Sequence, residues 1–340
     1  MGHQKSDEPI LLRGDNFTPP SRTPWGGRRI RALKGMPPGE PVGESWEVSV
    51  GPSFPSVDGD GRPLSERVDE GWLGGERARG GTALLVKLLD TDDALSVQIH
   101  PSDDAPGLAP DESGKPESWY VVDHAPGAGL YLGLSEGATE ARVRAALDAG
   151  DDLSALLPFV PVAPGDFFVI EAGTPHCIGA GVLLVEPQRV LPGRRGVTYR
   201  YWDWNRRYDE AGRRDPDGEP RALHREEALG VTRWDLPRGE ALLSRVRHRA
   251  GPPPTEATVE LLSGEGAPLR SDALAVARVA GTGVVTLPDW DRLAGLTVLS
   301  GEVTLGDRVV PAGRSAALPA RWRPRQATLK QAHAILAATP

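Results

Sequence analysis

Cysteine is nearly absent from this 340-residue chain, which contains only Cys177. A single thiol excludes a fold held together by internal disulfides and fits a reducing compartment. Long apolar runs are also missing: no stretch approaches the roughly 20 apolar residues that span a bilayer, and the polar residues 1–8 contain no signal-peptide core. The sequence therefore predicts a cytoplasmic protein that has no contact with a membrane.

The chain also lacks an excess of positive charge. Its 39 Lys and Arg residues are outnumbered by 47 Asp and Glu residues, which gives a formal net charge of -8. Nucleic-acid binding needs a broad positive surface, so we do not expect a nucleic-acid partner. An anionic metabolite needs only a local pocket, and such a small molecule remains compatible with the composition.

Glycine and proline, in contrast, are abundant, with 41 and 33 residues. This composition is typical of many short strands joined by tight turns, and it predicts an all-β fold of sandwiches or barrels. Helical spacing is confined to three short segments. We expect helices over residues 139–149, where Gly150 ends the pattern, and over residues 151–157 and 223–229. Residues 203–220 are expected to form a surface loop.

Three consecutive prolines at 252–254 mark the clearest break in the chain, because they remove backbone donors and stiffen a linker. We therefore predict a catalytic domain over residues 1–249 and a second β domain over residues 250–340. The strands expected in the second domain cover residues 274–279, 283–287, 296–300, 303–305 and 314–318. Residues 298–313 resemble a hairpin of a cupin barrel. No histidine lies between His248 and His333, so this barrel is predicted to be a degenerate, structural copy.

Four side chains give the strongest functional signal. Two of them lie in residues 94–100, where alternating apolar and polar residues place three polar side chains on one strand face. The other two each begin or end a strand-like run beside glycine or proline. Two imidazoles, a carboxylate and an amide oxygen suit zinc, and equally iron or manganese, with positions left open for catalysis. The predicted ligands are Gln98, His100, Glu117 and His176.

Each of these residues taken singly has a simpler explanation. A lone histidine such as His100 or His176 is more often a hydrogen-bonded side chain than a ligand, and Glu117 could be a solvated strand start. The combination favours a metal site, because a barrel mouth would gather strand ends. Cys177 follows His176 and would point away from the metal on a strand, so it is expected to be a packing residue.

A series of motifs, in consistent order along the chain, resembles the type I phosphomannose isomerases in their short bacterial form. The resemblance covers roughly residues 8–232 and weakens beyond them. The segments that carry it are residues 23–27 (TPWGG), 42–49 (VGESWEVS), 85–90 (LVKLLD), 95–101 (LSVQIHP), 115–120 (KPESWY), 164–168 (PGDFF), 173–176 (GTPH), 198–206 (TYRYWDWNR) and 223–224 (LH).

This resemblance implies a zinc-dependent aldose-ketose isomerase, built from cupin-type jelly-roll barrels, that interconverts mannose 6-phosphate and fructose 6-phosphate. It implies one zinc ion per chain, held by the four residues named above. We further expect a small sugar-phosphate substrate and a monomer or weak homodimer. The resemblance also implies roles for four other residues. Lys115 corresponds to the family's active-site lysine and Arg200 to its active-site arginine. Ser96 corresponds to a serine near the phosphate, and Glu186 to an acidic residue near the metal.

The chemistry of isomerisation supports these roles. A proton must move between C2 and C1, so the reaction needs a base, and Glu186 is the candidate because ligated carboxylates are occupied. The alternative is a rim carboxylate with no proton to carry. Arg200 and Lys115 are expected to supply positive charge at the end of a sugar phosphate far from the metal. Arg200 could instead cover aromatic surface between Tyr199 and Tyr201.

Two other functions remain open at this stage. Histidines and a carboxylate could hold iron in a metallocupin oxygenase, although Gln98 and the lysine–arginine pair favour a sugar phosphate. A non-catalytic sugar-phosphate-binding cupin would keep the pocket and lack the proton shuttle. Residues 187–196 also depart from the family, because this segment is longer and more basic than usual, and it could reshape the pocket rim.

Overall fold

The computed structural model describes residues 7–340. The expectation that the chain begins without a signal-peptide core concerns mainly residues 1–6, which lie outside the described residues. None of the helices in the described part combines the length and the apolar character needed to cross a bilayer.

The first half of the chain is built mainly from two antiparallel sheets. Their strand orders are β16-β9-β6-β11-β3-β2 and β13-β4-β10-β7-β8. Two further pairs, β12-β5 and β14-β15, lie outside them. The strands are β1 (Ile10–Leu11), β2 (Glu44–Val48), β3 (Leu84–Asp90), β4 (Val97–Ile99), β5 (Glu112–Ser113), β6 (Glu117–His124), β7 (Gly129–Leu132), β8 (Phe159–Pro161), β9 (Asp166–Ile170), β10 (His176–Ile178), β11 (Val182–Arg189), β12 (Arg195–Gly196), β13 (Tyr199–Trp202), β14 (Arg207–Tyr208), β15 (Glu219–Pro220) and β16 (Arg247–Arg249).

The second half forms one larger sheet that curls around its own core. Its order is β1-β21-β19-β22-β18-β17, and β20 pairs with β19. The strands are β17 (Thr258–Ser263), β18 (Ala275–Thr286), β19 (Ala294–Leu305), β20 (Arg308–Pro311), β21 (Ser315–Leu318) and β22 (Gln326–Ala338). Strands dominate both halves, and the expected all-β fold class is confirmed.

Helices are short and lie around the sheets. The α-helices are α1 (Arg29–Leu33), α2 (Leu64–Arg67), α3 (Glu70–Leu73), α4 (Glu140–Ala149), α5 (Arg225–Val231) and α6 (Gly239–Val246), and 3-10 turns cover Gly74–Arg79 and Ser154–Leu156. Helix α4 confirms the sequence prediction, with Thr139 as its N-cap and Gly150 in the left-handed conformation at φ 70°. The predicted helix over residues 151–157 is wrong, since only a 3-10 turn forms there and Leu153, Leu156 and Leu157 enter the core. The helix predicted over residues 223–229 begins and ends two residues later.

Four of the five strands predicted in the second half merge into two longer strands, and the fifth, over residues 314–318, corresponds to β21 (Ser315–Leu318). Residues 274–279 and 283–287 belong to the single strand β18, and residues 296–300 and 303–305 belong to β19. Each of these two strands has an irregularity beside a glycine, between Gly281 and Gly283 in β18 and between Ser300 and Glu302 in β19. A bulge bends a strand without ending it, so glycine within an apolar run does not by itself predict a turn.

Three apolar cores hold the layers together. The first lies between the two sheets of the first half and under α4, α5 and α6. The second joins the outer face of the six-stranded sheet, including Leu88, Tyr120 and Val185, to Val276 and Ile335 of the second half. The third lies within the second half. Strand β3 is buried along its whole length because both of its faces are covered, which explains its nearly continuous apolar sequence.

The two halves are also linked by polar contacts and by chain crossover. Strand β1, from the start of the chain, pairs with β21 of the second half. Lys34 and Glu47 form a buried ion pair at 2.7 Å, and Ser315 of the second half donates to Glu47, also at 2.7 Å. The predicted division between residues 249 and 250 stays a prediction.

Candidate metal centre

The register of the five-stranded sheet brings distant parts of the chain to one face. Gln98 on β4 lies directly opposite His176 on β10 and opposite Arg200 on β13. Residues that face each other across antiparallel strands project to the same side of the sheet. Glu117 begins β6 in the facing six-stranded sheet, where it lies opposite Gln188 of β11. The two sheets therefore place the predicted ligands on walls that face each other.

Three of the four predicted ligands converge. The potential ligand atoms of His100, Glu117 and His176 all lie within 4.8 Å of one another, and the three residues are buried. His100 Nε2 is 3.3 Å from one carboxylate oxygen of Glu117, and His176 Nε2 is 3.4 Å from the other. Residues separated by 76 positions in the sequence thus form one compact group.

A hydrogen bond from Nδ1 fixes the tautomer of each histidine. His100 Nδ1 donates to the carbonyl of Val197 at 3.0 Å, and His176 Nδ1 donates to the carbonyl of Thr174 at 2.8 Å. A carbonyl only accepts, so each Nδ1 carries the hydrogen and each Nε2 presents a lone pair. Burial, with Lys115 nearby, lowers the pKa of His100 to about 3, and burial also lowers the pKa of His176. Both imidazoles are therefore neutral, as metal ligands must be.

The Glu117 carboxylate is held in its ionised form. Lys115 Nζ lies 3.2 Å from it, and Gln188 Nε2 donates to it at 2.8 Å. Burial alone would raise the pKa of Glu117, but Lys115 and His100 outweigh this effect and hold it well below its ordinary value. The Nε2 lone pairs of both histidines therefore face the negatively charged carboxylate of Glu117.

This arrangement fits a cation. Facing acceptors repel one another in a buried site unless something positive lies between them, and His100 Nε2 has no hydrogen-bond partner. Two neutral imidazoles and a carboxylate match the donor preferences of zinc and other first-row divalent ions. Gln98 is half-buried and opposite His176, and it stays a predicted fourth ligand.

A row of buried polar side chains continues from this centre across the six-stranded sheet. Glu186 accepts from the indole N–H of Trp119 at 3.1 Å and lies 3.8 Å from Lys87 Nζ. Burial, followed by the charge of Glu117, raises the pKa of Glu186 to about 8. Burial lowers the pKa of Lys87, but Glu44 at 3.6 Å and Glu186 outweigh burial and raise it.

Lys87 is the residue that the sequence reasoning missed. It lies directly opposite Glu186 in the pairing of β3 with β11, and its ammonium is 4.8 Å from the centre of the Trp46 ring. The available signal was a single lysine within the apolar run Leu84–Asp90. A buried lysine is rare unless it is paired, so this position alone justified a functional hypothesis.

Arg200 and Ser96, two predicted substrate-binding residues, lie in contact with each other. Arg200 Nε donates to Ser96 Oγ at 3.2 Å, and its Nη1 donates to the carbonyl of Ala222 at 2.7 Å. Among residues 7–340, Arg200 forms no ion pair with a carboxylate. Nearby arginines differ: Arg189 pairs with Asp103 and Arg195 pairs with Glu112. Arg200 therefore keeps its positive charge available.

Cys177 confirms its expected packing role. It is 1% exposed and pairs with Tyr131 on the opposite face from His176. Burial raises the pKa of its thiol, so the sulfur stays protonated and unreactive.

Antiparallel sheets packed around apolar cores and a buried His–Glu–His group define an all-β protein with a candidate metal centre. No family model matches the chain. It is 37% identical to mannose-6-phosphate isomerase of Streptococcus mutans over 231 residues, which cover 66% of this chain and 67% of that protein. It is 32% identical to mannose-6-phosphate isomerase ManA of Bacillus subtilis over 213 residues, which cover 61% of this chain and 64% of that protein.

The fold agrees with these sequence relationships. The crystal structure of the mannose 6-phosphate isomerase from Bacillus subtilis superimposes with a TM-score of 0.73 at 24% identity, covering 97% of this chain and 99% of that chain. The chain therefore belongs to the type I phosphomannose isomerase family and is an enzyme of that family. The sequence relationship spans about two thirds of the relatives' length, whereas the structural similarity extends over nearly the whole chain.

Proposed function

We propose that this protein interconverts mannose 6-phosphate and fructose 6-phosphate at the candidate metal centre. The observation that carries the proposal is the convergence of His100, Glu117 and His176, with Lys115 3.2 Å from the carboxylate. The relatives named above are mannose-6-phosphate isomerases, which supports the same substrate here.

We propose zinc as the resident ion, one per chain, held by the three clustered residues and by Gln98. A divalent cation in this position supplies Lewis-acid stabilisation of the negative charge that develops on the substrate oxygens during proton transfer. The chain's own contribution is to keep both imidazoles neutral and oriented through Val197 and Thr174. It also keeps the carboxylate ionised through Lys115.

Glu186 is the proposed base that moves the proton between C2 and C1. Its carboxylate is buried, and its raised pKa of about 8 lies near the operating pH, which favours both taking and returning a proton. The Trp119 indole N–H and the Lys87 ammonium orient it. We assign Lys87 the role of a positioning residue, whose positive charge lowers the free-energy cost of ionising the buried Glu186 carboxyl group.

Arg200, Ser96 and Lys115 are the proposed substrate-binding groups. The Arg200 guanidinium, which pairs with no carboxylate in the described part of the chain, is a planar donor group that suits phosphate oxygens, and Ser96 holds it in place. Lys115 lies beside the predicted metal ligand Glu117 rather than at the far end of the substrate expected from the sequence, so it is suited to neutralise charge at the reacting end of the sugar. We further propose that residues 250–340 have a structural role, packing against the outer face of the six-stranded sheet.

Nuclear magnetic resonance in deuterated water tests the activity directly. Zinc-loaded protein is incubated with mannose 6-phosphate, and formation of fructose 6-phosphate carrying deuterium at C1 is followed over time. We expect conversion that a chelator abolishes, that His100→Ala abolishes, and that the control His124→Ala retains. Absence of conversion with zinc, iron or manganese would refute the proposal. Binding of unaltered substrate would then favour the non-catalytic cupin, and oxygen consumption with iron would favour the oxygenase.

A further inference from the structure

A concave site lies on the face of the five-stranded sheet opposite the candidate metal centre. On β10, His176 faces Leu132 and Cys177 faces Tyr131, so Tyr131 and His176 project to opposite sides. The groove on the Tyr131 side has a volume of about 320 Å³. Its walls include Phe159, Trp204, Asp93 and Arg214, and its floor is made of small residues at 127–129 and 179–180. The sheet therefore separates this groove from the candidate metal centre.

Three aromatic rings form the apolar wall. The ring centres of Tyr131 and Phe159 are 5.3 Å apart, and those of Tyr131 and Trp204 are 5.1 Å apart. Phe159 is 46% exposed, which makes it one of three large apolar side chains that the described part of the chain leaves in solvent. An exposed aromatic side chain at the rim of a concave site is a common feature of ligand-binding surfaces.

The position of Trp204 depends on an unfavourable backbone conformation. Trp204 and Asn205 have φ values of 58° and 53°, which are uncommon for residues other than glycine, particularly bulky ones. Three hydrogen bonds hold this turn: Trp204 Nε1 donates to the Leu95 carbonyl at 2.6 Å, Trp202 Nε1 donates to Asn205 Oδ1 at 3.0 Å, and Asn205 Nδ2 donates to the Gly150 carbonyl at 2.9 Å. Strain of this kind persists where surrounding contacts impose it, commonly at functional sites.

The polar rim carries balanced charge. Asp93 accepts from Arg206 at 3.0 Å and also from Arg214. Arg206 in turn pairs with Asp203, which also binds Arg221. Three arginines share two carboxylates in this network, but the charged residues that line the groove itself are Asp93 and Arg214, which pair with each other, in contrast to Arg200. The rim offers donors and acceptors in a fixed arrangement but no free charge for an anionic ligand.

We propose that this groove binds a neutral pyranose, as a free sugar or as a terminal residue of a saccharide, at a site separate from the isomerase centre. A pyranose has C–H faces that pack on the electron-rich faces of aromatic rings, and hydroxyl groups at its edge that pair with carboxylate and guanidinium groups. The volume lies at the lower end of ligand sites, which span roughly 300–1,000 Å³. This inference does not depend on the proposed isomerase activity.

Titration of the zinc-loaded protein with methyl α-D-mannopyranoside, followed through the indole N–H resonance of Trp204, tests the proposal. The resonance is assigned by its loss in Trp204→Phe. We expect a saturable shift, and we expect Phe159→Ala to weaken binding about threefold or more while isomerase turnover is retained. The matched control is Val284→Ala, an exposed apolar residue of the second half, which should leave binding unchanged.

Three outcomes would overturn the proposal. The first is the absence of saturation up to the solubility limit of the glycoside. The second is binding that Phe159→Ala leaves unaltered. The third is cyclohexanol binding as tightly as the glycoside, which would show an unspecific apolar groove. Mannose 6-phosphate should shift this resonance no more strongly than the neutral glycoside, because the rim has no free positive charge.

Discussion

The protonation behaviour of Glu186 is determined mainly by the residues around it. A solvated glutamate is ionised at neutral pH, whereas burial and the nearby charge of Glu117 raise the pKa of this one to about 8. Its contacts with Trp119 and Lys87 hold it at a fixed position in the interior of the barrel. A carboxyl group of this kind suits proton transfer rather than metal binding, since it is not part of the clustered group.

The Glu186→Gln substitution separates these two roles. Glutamine keeps the size and the hydrogen bond from Trp119 but cannot take a proton, so we expect kcat to fall by about 10²-fold or more. Zinc content should stay at the level of the unsubstituted protein. Turnover is measured with a coupled assay and metal by elemental analysis, with Glu302→Gln, a surface carboxylate, as control. Turnover close to that of the control would show that Glu186 is not the base.

Much of the candidate site was predictable from residue types and local spacing. Strand alternation placed Gln98 and His100 on one face, and the pairing of His176 with Gln98 agrees with that expectation. Lys87 could not be assigned in the same way, because its environment depends on the registers of β2 and β11 with β3. Those pairings join residues far apart in the chain, and local patterns contain no information about them.

At the scale of elements, the ends of helix α4 show how local sequence determines structure. Val143 and Leu147 bury one face of the helix, Thr139 caps its start, and Gly150 ends it at φ 70°. A residue with a Cβ is strained in this conformation, so the glycine is required by backbone geometry. The segment that follows could not be predicted as reliably, because leucines in a 3-10 turn and in an α-helix have similar spacing over so few residues.

Two glycine substitutions test this assignment. Gly150→Ala should lower the free energy of unfolding by about 1 kcal/mol, because alanine disfavours a positive φ. Gly230→Ala is the matched control, since Gly230 lies within α5 and a Cβ there would meet no atom within 4 Å. That change should raise the free energy of unfolding by roughly 0.5 kcal/mol. Urea denaturation measures both values, and equal effects of the two changes would contradict the assignment.

At the scale of the whole molecule, stability depends on the surface between the two halves. Tyr120 of the six-stranded sheet and His333 of β22 meet there, with the phenol oxygen 2.8 Å from His333 Nε2. Burial, with the charge of Arg278, lowers the pKa of His333 to about 4. Such pairings between distant strands follow from the packing of complete sheets, so neither the sequence motifs nor the composition could predict this contact.

The lowered pKa of His333 predicts a specific pH dependence. Because the folded state resists protonation of this side chain and the unfolded chain accepts a proton near pH 6.5, its stabilising contribution is present above pH 6.5 and is lost as pH falls towards 4. Relative to His333→Gln, the unsubstituted protein should lose about 2 kcal/mol of unfolding free energy between pH 7 and pH 5. Urea denaturation at both pH values measures this difference. His124→Gln is the control, and a pH-independent difference between the protein and His333→Gln would argue against a neutral, buried His333.

Zinc stoichiometry tests the central claim, that His100, Glu117 and His176 together hold one divalent ion. Chelator-treated protein is dialysed against zinc, and bound metal is measured by elemental analysis for the unsubstituted protein, His100→Ala, Glu117→Gln and the control Glu302→Gln, with circular dichroism to verify folding. We expect one ion per chain in the unsubstituted protein and the control, and affinity reduced by at least about tenfold in the other two folded variants. Equally tight binding by folded His100→Ala and Glu117→Gln would contradict the account.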